Sequence, residues 1–202
     1  MFRRLRMIMG SGTMLGHFLQ ALPIACAAGL LYAVVRIAGQ KRRNARIGWK
    51  RELLRALFVC YLTGLISLVV LPANFWLRIY DGLFLGWWDE LGPILQIGDV
   101  ELVPSIIKHL DGTRSIGSWA RTMLAGNVIL FLPLGLFLPI VTGRRGWRTV
   151  LSAAVLAPVC LETLQLFFGR SFDIDDLICN FIGIALGGAI ASAVLAAGGN
   201  ER

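Results

Sequence analysis

The residues best equipped for chemistry lie in one short stretch, "ETLQLFFGRSFDIDDLICN", from Glu162 to Asn180. Glu162 and Gln165 are three apart, so on a helix they share a face; Asp176 and Asn180 are four apart and share another. Between them the connection "GRSFDID" is so short that the two helices must be antiparallel neighbours with their polar ends close together. Glu162, Gln165, Arg170, Asp173 and Asp176 can therefore converge, with Arg170 as the nearby cation. Asp175 alternates away from its neighbours and is expected to be solvated. Such a cluster suits the head of an amphiphile that carries hydrogen-bonding and anionic parts. A pair of carboxylates could instead act as general base and acid, or hold Mg²⁺ with Asn oxygens, on a lipid-linked phosphate or sugar. The third reading is an internal network of ion pairs and amides that fixes helix register.

The elements that must position these groups are membrane spans. The 202 residues are 56% hydrophobic and 16% charged, with mean hydropathy +0.70, which is too apolar for an ordinary soluble domain. A span needs about 20 mostly apolar residues, and five stretches fit: Phe18 to Ala38, Leu53 to Ala73, Thr122 to Thr142, Thr149 to Phe168 and Leu177 to Ala197. The predicted class is an all-α polytopic transmembrane bundle, one domain over residues 1–202, with an aromatic-rich outer loop over residues 75–119. Span three brings Asn127 to a similar depth as the cluster. It also carries Gly135 and the prolines Pro133 and Pro139, whose missing N–H groups leave the carbonyls of Ile129 and Gly135 unpaired, which predicts a kinked helix packed inside the bundle. In span five Gly183 and Gly187 continue the stripe of Asp176 and Asn180, so this helix can approach a neighbour closely.

Charge sets the orientation. The net charge is +8, but the cations sit in loops rather than along a stripe with interleaved aromatics, which argues against nucleic acid. Arg36, Lys41, Arg42, Arg43, Arg46, Lys50 and Arg51 form one basic loop, and Arg144, Arg145 and Arg148 another; the 45-residue connection from Phe75 to Trp119 holds only Arg78, Lys108 and Arg114. The positive-inside rule makes the basic loops cytoplasmic and the N-terminus external, against the three arginines of "MFRRLR". Trp49 and Trp147 at the basic ends, and Trp76, Trp87, Trp88 and Trp119 at the other, supply both aromatic belts. A signal peptide ending at "PIAC" is disfavoured because the apolar run continues to Val35 and cleavage would export the most basic loop. Cys26, Cys60, Cys160 and Cys179 have no paired spacing and are expected to be small packing residues.

In the long loop, "FWLRIYDGLFLGWWDELGPIL" is too short and too interrupted by glycine to span, which predicts an interfacial or re-entrant hairpin. The segment "VELVPSIIKHLDG" reads as a turn and a short amphipathic helix. Neither His17 nor His109 falls near the polar cluster, and no metal-ligand spacing appears, so no metal and no cofactor is expected. Five spans without an inverted repeat, with polar groups at one face, argue against a transporter.

The runs "GNVILFLPLGLFLP", from Gly126 to Pro139, and "ETLQLFFGRSFDIDDLICNFIGIALGG", from Glu162 to Gly188, resemble the VanZ-like family of small bacterial membrane proteins in their Asn, Leu-Phe-x-Pro-x-Gly, Glu-x-x-Gln, Arg, Asp and Asn-x-x-Gly signature. "ELVPS", from Glu101 to Ser105, resembles the Ile-Pro segment before it, with Ser105 where an aromatic is more usual. The signature lies within residues 101–188. The resemblance implies a multi-pass protein of the bacterial inner membrane and marks Asn127, Pro133, Gly135, Glu162, Gln165, Arg170, Asp173, Asp176, Asn180, Gly183 and Gly187. Its named member confers resistance to teicoplanin, a glycopeptide with a lipid tail. The implied partners are membrane lipids and a lipid-tailed or lipid-linked small molecule, the ligand residues being Asn127, Glu162, Gln165, Arg170, Asp173, Asp176 and Asn180. The candidates for a catalytic role are Glu162, Asp173 and Asp176.

Overall fold

The computed structural model describes residues 2–44, 46, 48–112, 117–143 and 146–197. Arg114, Arg144 and Arg145 of the charge argument, and the side chains of Arg3 and Trp119, lie outside the described residues. Among the described residues the chain is all-α apart from two very short strands. Five helices among the described residues are long and apolar enough to cross a membrane, within Met14–Arg42, Trp49–Val69, Thr122–Thr142, Trp147–Leu166 and Ile174–Ala196. Each overlaps one predicted span. The chain divides into two compact units, residues 1–97 with 167–170, and residues 98–166 with 171–202.

The first unit contains α1 (Phe2–Met9), α2 (Met14–Arg42), α3 (Trp49–Val69), α4 (Phe75–Leu85) and a 3₁₀ turn at Trp88–Leu91. The first span begins earlier than hydropathy placed it because Thr13 caps α2, its hydroxyl accepting from Gly16 N at 3.2 Å. Helices α2 and α3 pack through small residues. A Cβ on Gly29 would stand 2.1 Å from Cys60 Sγ, so Cys60 fills the space that glycine leaves. All four cysteines are free thiols.

The aromatic loop opens as α4, ends at Gly86 in the left-handed region (φ 77°), and folds its 3₁₀ turn back so that Gly82 faces the Trp88 ring. A buried polar network ties this segment to α1 and α2. Gln20 donates from Nε2 to Met9 O at 2.7 Å and to Asn74 Oδ1 at 2.8 Å, while its own backbone carbonyl accepts from Tyr80 Oη at 2.9 Å. Arg6 makes a two-pronged pair with buried Asp81, Nε to Oδ1 at 2.7 Å and Nη2 to Oδ2 at 2.9 Å, and its guanidinium lies 5.1 Å from the Trp87 ring centroid. One of the N-terminal arginines that oppose the orientation argument therefore carries its own counter-charge. The hydrogen bonds that Arg6 donates to Asp81 push the Arg6 pKa up.

The second unit contains β1 (Val100–Glu101), α5 (Ser105–Leu110), α6 (Ser118–Thr142), α7 (Trp147–Leu166), β2 (Phe172–Asp173) and α8 (Ile174–Ala197). Helix α6 runs unbroken through Pro133 and Pro139. It packs on α8 almost backbone to backbone. A Cβ on Gly135 would stand 1.9 Å from Ile184 O, one on Gly183 2.4 Å from Val128 O, and one on Gly187 2.0 Å from Leu132 O. The glycine spacing thus becomes a close helix crossing, sealed by the fully buried Phe131 and Ile184. On its other side Gly188 faces Val150 of α7.

Candidate functional site

In the second unit the end of α7 meets the start of α8 through the tight return of the chain. Strand β2 lies parallel to β1 in the register Val100↔Phe172 and Glu101↔Asp173. Flanking bonds from Gly98 N to Leu166 O and from Phe172 N to Asp99 O, both 2.8 Å, extend the zipper. Pattern reading missed this pairing, because two-residue strands leave no periodicity to see.

Glu162 is 1% exposed and is the centre of the arrangement. Gln165, one turn on and on the same face, donates from Nε2 to Glu162 Oε2 and to Ser171 O at 3.0 Å. The backbone N–H of Asp173 donates to the same Oε2 at 3.2 Å, and Asn180 Nδ2 donates to Oε1 at 3.4 Å. Three donors from three segments fit an acceptor-only carboxylate. Asn180 is also buried, and its Oδ1 has no hydrogen-bond partner among the described residues. An acceptor left in that state is costly unless a donor reaches it.

Around this buried trio stand half-buried groups. Asn127 Nδ2 of α6 donates to Asp176 Oδ1 of α8. The carboxylate of Asp173 caps α8, accepting from Asp175 N at 2.8 Å. Burial raises the Asp173 pKa, the neighbouring Asp175 and Glu101 raise it further, and the Asp175 N–H and Lys108 act in the opposite direction. Asp175 is not merely solvated as expected. Its Oδ2 accepts from Ser105 N at 2.8 Å and so holds the start of α5, 70 residues away in sequence. Lys108 of α5 pairs with Glu101 Oε1 at 2.6 Å.

Asn127, Glu162, Gln165, Asp173, Asp176 and Asn180 are thus gathered in one unit. Arg170 belongs to the other, where Nη1 donates to Leu68 O at 3.1 Å and Leu71 O at 3.4 Å. A guanidinium at the end of α3 satisfies carbonyls that the helix leaves free. In the same unit Gln96 N donates to Phe167 O at 3.0 Å, and Gly169 N to Gln96 O at 2.8 Å. Gly169 lies at φ 74° beside the Gln96 side chain, a conformation that favours glycine.

The six gathered groups can hold a polar head by hydrogen bonds, with Glu162, Gln165 and Asn180 as a rigid support and Asn127, Asp173 and Asp176 within reach of solvent. The family model described as VanZ/LLP1 matches residues 58–195. No curated protein and no solved structure matches.

Proposed function

The chain belongs to the VanZ/LLP1 family and is a multi-pass membrane protein, and from that premise we propose that it binds the head of an amphiphilic or lipid-linked molecule at the outer leaflet of the bacterial inner membrane. The observation that carries the reading is Glu162, buried in the end of a span with donors from Gln165, Asp173 and Asn180. An ionisable group in a span costs about 3 kcal/mol on insertion scales and points to function by default. Beside this buried support Asn127, Asp173 and Asp176 add polar groups that are only half buried and can meet a ligand hydroxyl or amine. A lipid-tailed glycopeptide of the teicoplanin type fits this description, its tail remaining in the bilayer, and the expected phenotype is protection against it.

The test compares Glu162→Gln and Asn127→Ala with wild type in cells challenged with teicoplanin and with its deacylated core. Both variants should accumulate in the membrane and lose protection against the tailed compound alone. If both fail to accumulate, the cluster serves helix register and not binding. Mass spectrometry of co-purifying lipids tests the catalytic alternative: turnover of a lipid-linked phosphate or sugar, abolished by Asp176→Asn, would replace binding by reaction.

A further inference from the structure

The first unit has a second polar feature, at the other end of its two long helices. Between Arg36 and Arg55 the sequence holds eight Lys or Arg residues and one acid, Glu52. Glu52 is buried and already engaged, accepting from Gln40 Nε2 at 2.9 Å and pairing with Arg55 at 3.0 Å and Arg36 at 3.4 Å. Lys41, Arg42, Arg43, Arg46, Lys50 and Arg51 are exposed, and none has a carboxylate within ion-pair distance among the described residues. Arg36, at the start of this basic stretch, lines an apolar groove of about 340 Å³ on α2 together with Ala28, Leu31, Tyr32 and Val35. The steps of three, one, three and one residue put all five on a single helical stripe. Leu31 is 66% and Val35 63% exposed, and Trp49 stands exposed at the start of α3.

We propose that this end of α2 and α3 binds an anionic phospholipid, its phosphate held by the exposed cations and one acyl chain lying along Leu31, Tyr32 and Val35. Charge complementarity chooses the occupant: a zwitterionic lipid offers the same chain but no net charge, and a soluble phosphate offers the charge but nothing for the groove. Juxtamembrane cations attract anionic lipid heads, and clusters of four to eight suffice for recognition. Arg36 joins the two parts, lining the groove while Glu52 fixes its Nε.

The test uses the full-length protein in neutral detergent, with native mass spectrometry for adducts and melting temperature for stabilisation. The probes are phosphatidylglycerol, phosphatidylcholine and glycerol 3-phosphate. Phosphatidylglycerol should bind roughly tenfold or more tightly than phosphatidylcholine, and glycerol 3-phosphate should not stabilise. The triple variant Lys41→Gln, Arg42→Gln, Arg43→Gln should weaken phosphatidylglycerol binding about tenfold or more, by loss of surface attraction. Leu31→Trp, which fills the groove from an exposed position, should weaken it with the cations intact. Both variants should melt like wild type without lipid, which separates lost binding from lost folding. Equal affinity for the two lipids, stabilisation by glycerol 3-phosphate, or full binding by either variant would overturn the proposal.

Discussion

The backbone N–H of Asp173 donates to the carboxylate of Glu162 at 3.2 Å, so the residue that caps α8 is held by the side chain that ends α7. The same carboxylate receives Gln165 and Asn180. A span terminus, a turn and the next span are thus tied at one buried point, and the half-buried Asn127 and Asp176 are fixed in relation to it.

Glu162→Ala is predicted to leave three donors facing a void, and the cost of stranding the partners of a buried charge is about 3 kcal/mol. Glu162→Gln keeps the shape and one acceptor, so it should lose about 1 kcal/mol. Melting in detergent, with helicity as the readout, checks the order. Equal melting of Glu162→Ala and wild type would show that the carboxylate does not hold the turn.

The close crossing of α6 and α8 makes a second prediction. Gly187→Val would drive a side chain into Leu132 O, where even a Cβ would stand 2.0 Å away, and neither backbone can yield. Overpacking of this kind costs about 3 kcal/mol or more. Gly39→Ala, with nothing within 4 Å of the added carbon, should be neutral or slightly stabilising. Thermal melts of the two variants should therefore diverge, and similar melts would count against the backbone contact.

What could be read from sequence follows from the range of the physics involved. Hydropathy and spacing are local, and they located all five spans, the pairing of Glu162 with Gln165, and the small face of α8 at Gly183 and Gly187. The glycines were legible because close packing in a membrane uses few residue types. The bond from Ser105 N to Asp175 and the β1·β2 ladder were not, since each joins segments about 70 residues apart through backbone groups that every residue carries. Arg6 and Asp81 were illegible for a related reason: opposite charges 75 positions apart give no periodicity to follow.

The raised Asp173 pKa carries a sign. A carboxyl whose folded-state pKa lies above its unfolded value stabilises the fold fully below the ordinary carboxylate range, and that contribution is lost as pH rises through the folded pKa. The groups facing it are Asp175 and Glu101, which raise the pKa, and Lys108, which lowers it. Asp173→Asn keeps a competent cap for α8 but does not titrate. The difference in melting temperature between this variant and wild type should therefore shift in favour of the variant as pH rises from about 4 to 7, the interval above the usual carboxylate value. Parallel curves over that interval would refute the shift.

The N-terminal helix α1 is tied to α4 by one two-pronged ion pair. Asp81 is 2% exposed and Arg6 is its counter-ion, so Arg6→Ala strands a buried carboxylate. The Arg6 side chain is 37% exposed, which screens the pair and lets water reach the site, and the cost should fall to about 2 kcal/mol, below the 3–5 typical of a fully buried pair. Asp81→Ala should cost less, because the freed guanidinium can turn to water and keep its contact with Trp87. In a double-mutant cycle Arg6→Ala with Asp81→Ala should be less damaging than the sum of the two, by about 1 kcal/mol or more. Proteolysis adds a local readout. Cleavage after Arg4 or Arg6 should accelerate in Asp81→Ala if α1 is held by this pair, whereas an unchanged rate would place its anchor in the Gln20 bond to Met9 O.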